Sequence, residues 1–145
     1  MYKTNINSTN LNEQCVLTLT REQALVVENA CEMLARLHLG QFHFITERLF
    51  KYNGNMNEYC SRRDMANDLF KLASFEIFGR GAYNSPKISE KSDECERAWL
   101  VYTTLRHARS WHDNPDGGVT VNFDEPLPFN GEPMPDCKIV TKDRG

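Results

Sequence analysis

Most motifs that mark a catalytic or cofactor-binding protein are absent from this sequence. It has no Cys-x-x-Cys pair, no Gly-x-Ser-x-Gly elbow, no His-Glu-x-x-His motif and no Gly-Lys-Ser/Thr phosphate loop. These patterns mark redox dithiols, serine hydrolases, zinc proteases and P-loop NTPases, respectively. No run approaches the roughly 20 apolar residues that a membrane-spanning helix needs. The sequence therefore predicts a soluble protein without a recognisable catalytic signature.

Basic residues are slightly fewer than acidic residues. The chain of 145 residues has 17 Lys and Arg against 20 Asp and Glu, a net charge of −3. General nucleic-acid binders are normally basic, so this balance argues against that class. The five cysteines are odd in number, which favours reduced thiols and a cytoplasmic location over a disulfide framework. Cys31 and Cys95 fall in helical patterns and are predicted to be small core groups.

A long first helix dominates what is present. Thr20 and Gln23 have the spacing of a capping box, and the apolar pattern that follows predicts a helix over residues 21–50. Its apolar residues lie on several faces, which a chain of this size cannot easily cover. The pattern therefore predicts a homo-oligomer. Gly40 interrupts it, and indicates either close contact with the same helix of a second subunit or a break into two helices.

Two more helices and three short strands complete the predicted fold. The second helix covers 58–78, and the third is capped by Ser89 or Ser92 and ends near residue 111. Segments 15–19, 119–123 and 137–141 have β-forming residues. The predicted fold class is mainly α with short β-strands (α+β): three helices, the first long, plus a small antiparallel sheet and an extended Pro-rich C-terminal tail.

The predicted organisation is one helical domain with two extensions. Residues 1–13 are polar and are predicted to be a flexible leader. Residues 14–123 form the single helical domain. The tail, 124–145, has four prolines between 126 and 135 and is predicted to pack on the domain or on a neighbouring subunit.

The first candidate ligand site lies on the third helix. Arg106 and Arg109 are spaced i, i+3 and share a face, and two guanidinium groups together can hold a phosphate or carboxylate. The alternative is that they are helix-end cations, favoured there by the helix dipole and paired with an acid such as Asp113. The spacing alone leaves both interpretations open.

The second candidate is the glycine-rich loop at 79–87. Its glycines would let backbone N–H groups approach an anion, and Arg80 adds charge. Tyr83 would stack on a base, and Asn84 and Ser85 would contact its polar edge. The alternative is a rigid turn between helices. If the third helix packs antiparallel to the second, the loop and the arginines would meet only across a subunit interface.

No metal or cofactor is predicted. The four histidines form two pairs, His38 with His43 and His107 with His112. Each pair is spaced i, i+5, which does not place both rings on one helix face. A zinc site would need ligands from distant segments.

Five short stretches give the chain a resemblance to known proteins. Residues 19–24 and 35–42 (LTREQA and ARLHLGQF), 105–107 and 111–115 (LRH and WHDNP), and 132–135 (EPMP) resemble small proteins encoded by tailed phages, over residues 17–136. Such proteins include nucleotide-signal sponges, which silence host defences such as Thoeris or cyclic-oligonucleotide systems.

The resemblance implies an oligomeric, non-enzymatic anti-defence protein in the host cell cytoplasm. It would sequester a cyclic ADP-ribose-type messenger or a cyclic oligonucleotide without cleaving it. Arg106 and Arg109 would hold the phosphates, and Tyr83 the base. Two alternatives remain open. One is a protein–protein inhibitor of a host defence enzyme, and the other is a nucleotide-cleaving enzyme with His107 or His112 as general acid.

Overall fold

The fold is built from helices. The computed structural model describes residues 14–79, 92–128 and 131–141, so the predicted leader lies outside the described residues. The described elements are α1 (Arg21–His38), α2 (His43–Leu49), α3 (Met56–Phe78), α4 (Asp93–Asp113) and a 3-10 turn at Val121–Phe123. These ranges contain no β-strand, so the predicted α+β fold with a small antiparallel sheet is wrong. Among the same residues, no helix combines the length and the hydropathy needed to cross a membrane.

The three predicted strands lack partners. Residues 15–19 and 137–141 form neither a helix nor a strand ladder, and Val16 is 89% exposed. Residues 121–123 turn instead of extending, because the Phe123 N–H donates to the Thr120 carbonyl oxygen at 3.1 Å. β-Propensity mostly reflects packing against neighbouring strands. Without such a neighbour, the β-forming residues do not produce a sheet.

Helix α1 begins as predicted. The Thr20 hydroxyl accepts from the Gln23 N–H at 3.2 Å, and the Gln23 side chain accepts from the Thr20 N–H at 2.9 Å. Each bond satisfies a backbone donor that the first helical turn leaves unpaired. The predicted capping box is therefore confirmed.

The predicted single helix over 21–50 is wrong, because α1 ends at His38. Gly40 has a φ of 76°, in the left-handed region that favours glycine. Its N–H donates to the Leu37 carbonyl, and the Gln41 N–H donates to that of Arg36, which is a Schellman ending. The chain then reverses, so that Arg48 on α2 reaches back to α1 and donates to Asn29. The alternative of a break at Gly40 is correct.

Gly40 also contacts α3 of the same chain. The Ser74 hydroxyl is buried and donates to the Gly40 carbonyl oxygen at 2.9 Å. A Cβ atom on residue 40 would lie 2.8 Å from the Ser74 Oγ. The close approach that the glycine predicts therefore occurs within one subunit.

Substituting Gly40→Ala is expected to lower the free energy of unfolding by about 1–3 kcal/mol, because it adds a clash to left-handed strain. Gly54 is the matched control, since its φ is 93° and no atom lies within 4 Å of an added Cβ. Gly54→Ala should therefore show the strain without the clash. Equal losses for both variants in urea denaturation would contradict the contact with Ser74.

Helix α3 runs antiparallel to α2. It begins after Asn55, whose side chain accepts from the Glu58 N–H, and it ends at Gly79, which has a φ of 65°. The Thr46 hydroxyl donates to the Asn67 side chain, and the Phe42 and Phe70 rings meet edge to face at 6.5 Å. One face of α3 is thus packed against α2 and the turn that precedes it.

Helices α1 and α4 also pack antiparallel. Arg21 at the start of α1 pairs with Asp113 at the end of α4, and the Cys95 thiol contacts the Ala35 carbonyl at 3.4 Å. Small residues form the centre of this contact and let the two backbones approach closely: Ala35, Cys95 and Ala98 are buried. The predicted core position of Cys95 is confirmed, and Ser92 is the cap of α4.

The chain that follows α4, from residue 121 onward, covers another side of that helix. The Trp111 and Phe123 rings meet edge to face at 5.4 Å, and the Trp111 indole N–H donates to the Phe123 carbonyl. Arg97 pairs with Glu132 at 2.7 Å. Because α1 and this segment both contact α4, that helix carries many of the buried side chains, including Leu100 at 1% exposure.

Candidate functional site

Arg109, one of the two predicted phosphate ligands, is held by a carboxylate of its own chain. Its Nε and Nη2 donate to the two oxygens of Glu28 at 3.0 and 2.8 Å. Glu28 is only 5% exposed, and its hydrogen bonds are the main reason that the pKa of Arg109 is raised. This fork is the geometry in which arginine binds a carboxylate most strongly. The guanidinium group therefore has its bidentate partner within the fold.

Arg106 faces a different part of the structure. Its guanidinium lies 4.9 Å from the centre of the Tyr102 ring, and Nη1 donates to the Tyr102 hydroxyl at 3.0 Å. Nη2 donates to the Val121 carbonyl at 3.2 Å. Nε is buried and has no hydrogen-bond partner among the described residues. The structure thus directs Arg106 to the 3-10 turn at 121–123 and Arg109 to α1, and does not bring both onto one partner.

The four predicted loop residues, Arg80, Tyr83, Asn84 and Ser85, lie outside the described residues. The described chain resumes at Ser92, next to the end of α1, where its hydroxyl lies 3.2 Å from His38 Nδ1. Arg106 is 14 residues further along, which corresponds to about 21 Å of helix. The arginines and the start of α4 are therefore at opposite ends of one helix.

A second buried carboxylate, missed from the sequence, lies one helical turn from Glu28. Glu32 is 5% exposed and accepts from Arg36 on its own helix and from Arg48 on α2. Both guanidinium groups also lie over the Phe44 ring, at 4.4 and 5.1 Å from its centre. The sequence signal that could have revealed these buried acids is the i, i+4 spacing of Glu28 and Glu32 on a mostly apolar helix.

These charges form one ladder along α1. At the start of α1, the Arg21 guanidinium donates two hydrogen bonds to the Asp113 carboxylate, at 2.8 and 2.7 Å. These bonds lower the pKa of that carboxyl. Glu28 and Glu32 follow at successive turns. Glu32 pairs with Arg48 of α2 and Glu28 pairs with Arg109 of α4, so the ladder joins α1 to both helices. In the described residues no three His, Cys, Asp or Glu side chains are grouped so that they could hold a metal ion.

An open apolar groove lies where the end of α1, α2 and α3 meet. Its volume is about 380 Å³. Every lining side chain is apolar except His38, which sits at the end near α4, within 3.4 Å of Glu94. The lining comes from all three helices: Leu34, Leu37 and His38 from α1, Phe42 and Ile45 from the α2 region, and Phe70, Ala73 and Phe78 from α3.

Comparisons with known proteins found no relative of this chain. Neither the protein-family models, nor the curated proteins, nor the solved structures contain a match to this chain. The groove and the charge ladder therefore have to be interpreted from their own chemistry.

Proposed function

We propose that this protein acts by binding another protein, without catalysing a reaction, and that the groove between α1, α2 and α3 is the contact surface. The observation that carries the proposal is the composition of the groove, which has seven apolar side chains and one histidine. Exposed apolar surface of this kind is typical of protein-interaction sites. The occupant that we propose is an apolar side of a partner's amphipathic helix.

The openness of the groove favours a helix over a small molecule. A bound small molecule usually has about 70–90% of its surface covered by its pocket. None of the residues that line this groove is fully buried, and Leu34 is 39% exposed, so the groove suits an occupant that brings its own covering surface. Polar groups at one end, His38, Ser92 and Glu94, would form part of the polar rim that surrounds an apolar contact.

Inhibition of a host protein is the cellular role that we propose for this contact. It rests on the resemblance to small tailed-phage proteins, which would make the partner a bacterial host protein. This role is that of the protein–protein inhibitor that the sequence left open as an alternative, with the groove as its contact surface.

Sequestration of a phosphorylated nucleotide signal is the second candidate. One observation favours it: the buried Arg106 Nε has no partner among the described residues and is a donor that an anion would satisfy. Against it, a phosphate on Arg109 would have to replace the buried Glu28 carboxylate. The internal pairing of Arg109 is the reason we rank this candidate second.

Affinity capture from host lysate with three baits tests the proposal. The baits are the unmodified chain, a groove variant Ala73→Glu and a control Ala30→Glu, in which the same change is made at an exposed position on α1. We expect one stoichiometric protein partner on the unmodified and control baits and its loss on Ala73→Glu. Ile45→Ser on α2 is a second groove variant, and circular dichroism checks that every bait is folded.

Retention of the partner by every bait would contradict binding in the groove. Calorimetry with cyclic dinucleotides and cyclic ADP-ribose isomers separates the second candidate. Saturable heat with one of these nucleotides, combined with no captured protein, would favour sequestration and reject the leading proposal.

A further inference from the structure

The outer face of α3 carries a row of exposed apolar side chains. Met65, Leu69 and Leu72 are 65%, 63% and 65% exposed and are spaced four and three residues apart. This spacing places them on one side of the helix. The opposite side holds Phe70 and Ser74, which pack against the α1–α2 turn. The three residues of the row do not themselves line the groove, and none of the described residues covers them.

Charged residues continue the same row at both ends. Glu58 and Arg62 precede Met65, and Glu76 follows Leu72, all with alternating spacings of four and three. All three are exposed, and Arg62 contacts Glu58 at 3.6 Å on its own helix. A row with this alternation is the seam along which two helices pair in a coiled coil. Its three apolar residues are thus flanked by unlike charges.

The charge order distinguishes the two ways in which a second α3 can pair with this row. In a parallel, in-register pair, Glu58, Arg62 and Glu76 would each face their own counterpart, and like charges repel. In an antiparallel pair centred on Leu69, Arg62 and Glu76 are equally distant from the centre in sequence. Arg62 of each copy then faces Glu76 of the other.

We propose that the occupant of this face is a second copy of this chain, with the two α3 helices antiparallel about a two-fold axis at Leu69. Such a self-complementary contact is the commonest form of homodimer. The apolar centre brings Leu69 against Leu69 and Met65 close to Leu72 of the other copy. Helix α3 has 23 residues and is about 34 Å long, enough for the whole row to take part.

This dimer goes beyond the proposed function, because its apolar row, Met65, Leu69 and Leu72, includes none of the residues that line the groove. The proposed dimer also places the oligomer contact on a different helix from the one that the sequence predicts. The predicted long first helix is α1 and α2, which fold back on each other, and α3 carries the uncovered face.

Sedimentation equilibrium tests the location of the contact. We expect the unmodified chain to have the mass of a dimer and Leu69→Glu to have that of a monomer, because the substitution places two carboxylates at the apolar centre. Val26→Glu is the matched control, since Val26 is 67% exposed on α1, and it should remain dimeric. A monomeric unmodified chain at about 100 µM, a concentration at which a dimer with a micromolar dissociation constant would predominate, or a dimeric Leu69→Glu variant, would overturn the proposal.

Charge reversal tests the orientation. Arg62→Glu and Glu76→Arg each create two like-charge contacts in the antiparallel pair and should weaken the dimer about tenfold. The double variant restores both pairs and should return the dissociation constant to about that of the unmodified chain. The loss of the Arg62–Glu58 contact persists in the double variant, so recovery isolates the contact between copies. Failure of the double variant to recover would overturn the antiparallel arrangement.

Discussion

Replacing Arg109 with methionine is expected to lower the free energy of unfolding by about 2–4 kcal/mol, somewhat less than the usual cost of removing one partner of a fully buried ion pair, because the Arg109 side chain is 32% exposed. Methionine retains most of the apolar stem, so the loss is mainly electrostatic. The Glu28 carboxylate, 5% exposed, would remain buried without the fork that satisfies both of its oxygens. Urea denaturation followed by circular dichroism measures the change.

Arg97→Met is the matched control, because Arg97 also pairs with a carboxylate, Glu132, but its side chain is 57% exposed. Its effect on stability should be much smaller, since solvent screens an exposed pair. Glu28→Leu combined with Arg109→Met should recover most of the lost stability, because apolar replacements remove both buried charges. If Arg109→Met lowers the free energy of unfolding no more than Arg97→Met does, the pairing of Arg109 with Glu28 does not stabilise the fold as proposed.

Leu100→Ala should cost about 2–5 kcal/mol, the range measured for large-to-small changes in close-packed cores. Leu100 is 1% exposed on α4, the helix that α1 and the C-terminal segment both contact, so its removal leaves a cavity. Leu49→Ala makes the same change at a site that is 66% exposed, and it should have little effect. Similar denaturation midpoints for the two variants would contradict the central position of α4.

Helix ends were the features most readily predicted from the sequence. Thr20 with Gln23, Ser92 and Gly79 act through bonds or dihedral angles within a few residues of each helix end. The reversal at Gly40 was harder. The apolar periodicity continues from α1 into α2 and does not mark the reversal. The reversal is fixed partly by the Ser74 hydroxyl, 34 residues away from Gly40. The glycine itself was the only local signal.

The predicted sheet failed for a related reason. The β-forming residues at 15–19, 119–123 and 137–141 are a local feature, whereas a strand needs a partner that the sequence does not identify. In the structure the described parts of these segments are mostly exposed or turned.

The candidate site required the tertiary structure. The i, i+3 spacing of Arg106 and Arg109 correctly places both on one helix, but it carries no information on the neighbours of that helix. Glu28 is 81 residues from Arg109, and the antiparallel packing of α1 and α4 brings them together. The groove combines residues from three helices, two of which were predicted to be one, so it had no counterpart in the sequence analysis.

Chemical-shift mapping tests the central claim most directly. The claim is that the partner binds in the apolar groove, whereas Arg106 and Arg109 stabilise the fold and do not bind a ligand. The measurement follows the methyl groups of Leu34, Leu37 and Ile45 and the Arg109 Nε–H during titration with the captured partner. We expect the three methyl signals to shift and the Arg109 signal to stay in place. Shifts confined to Arg106 and Arg109, with the groove methyls unchanged, would contradict the proposed function.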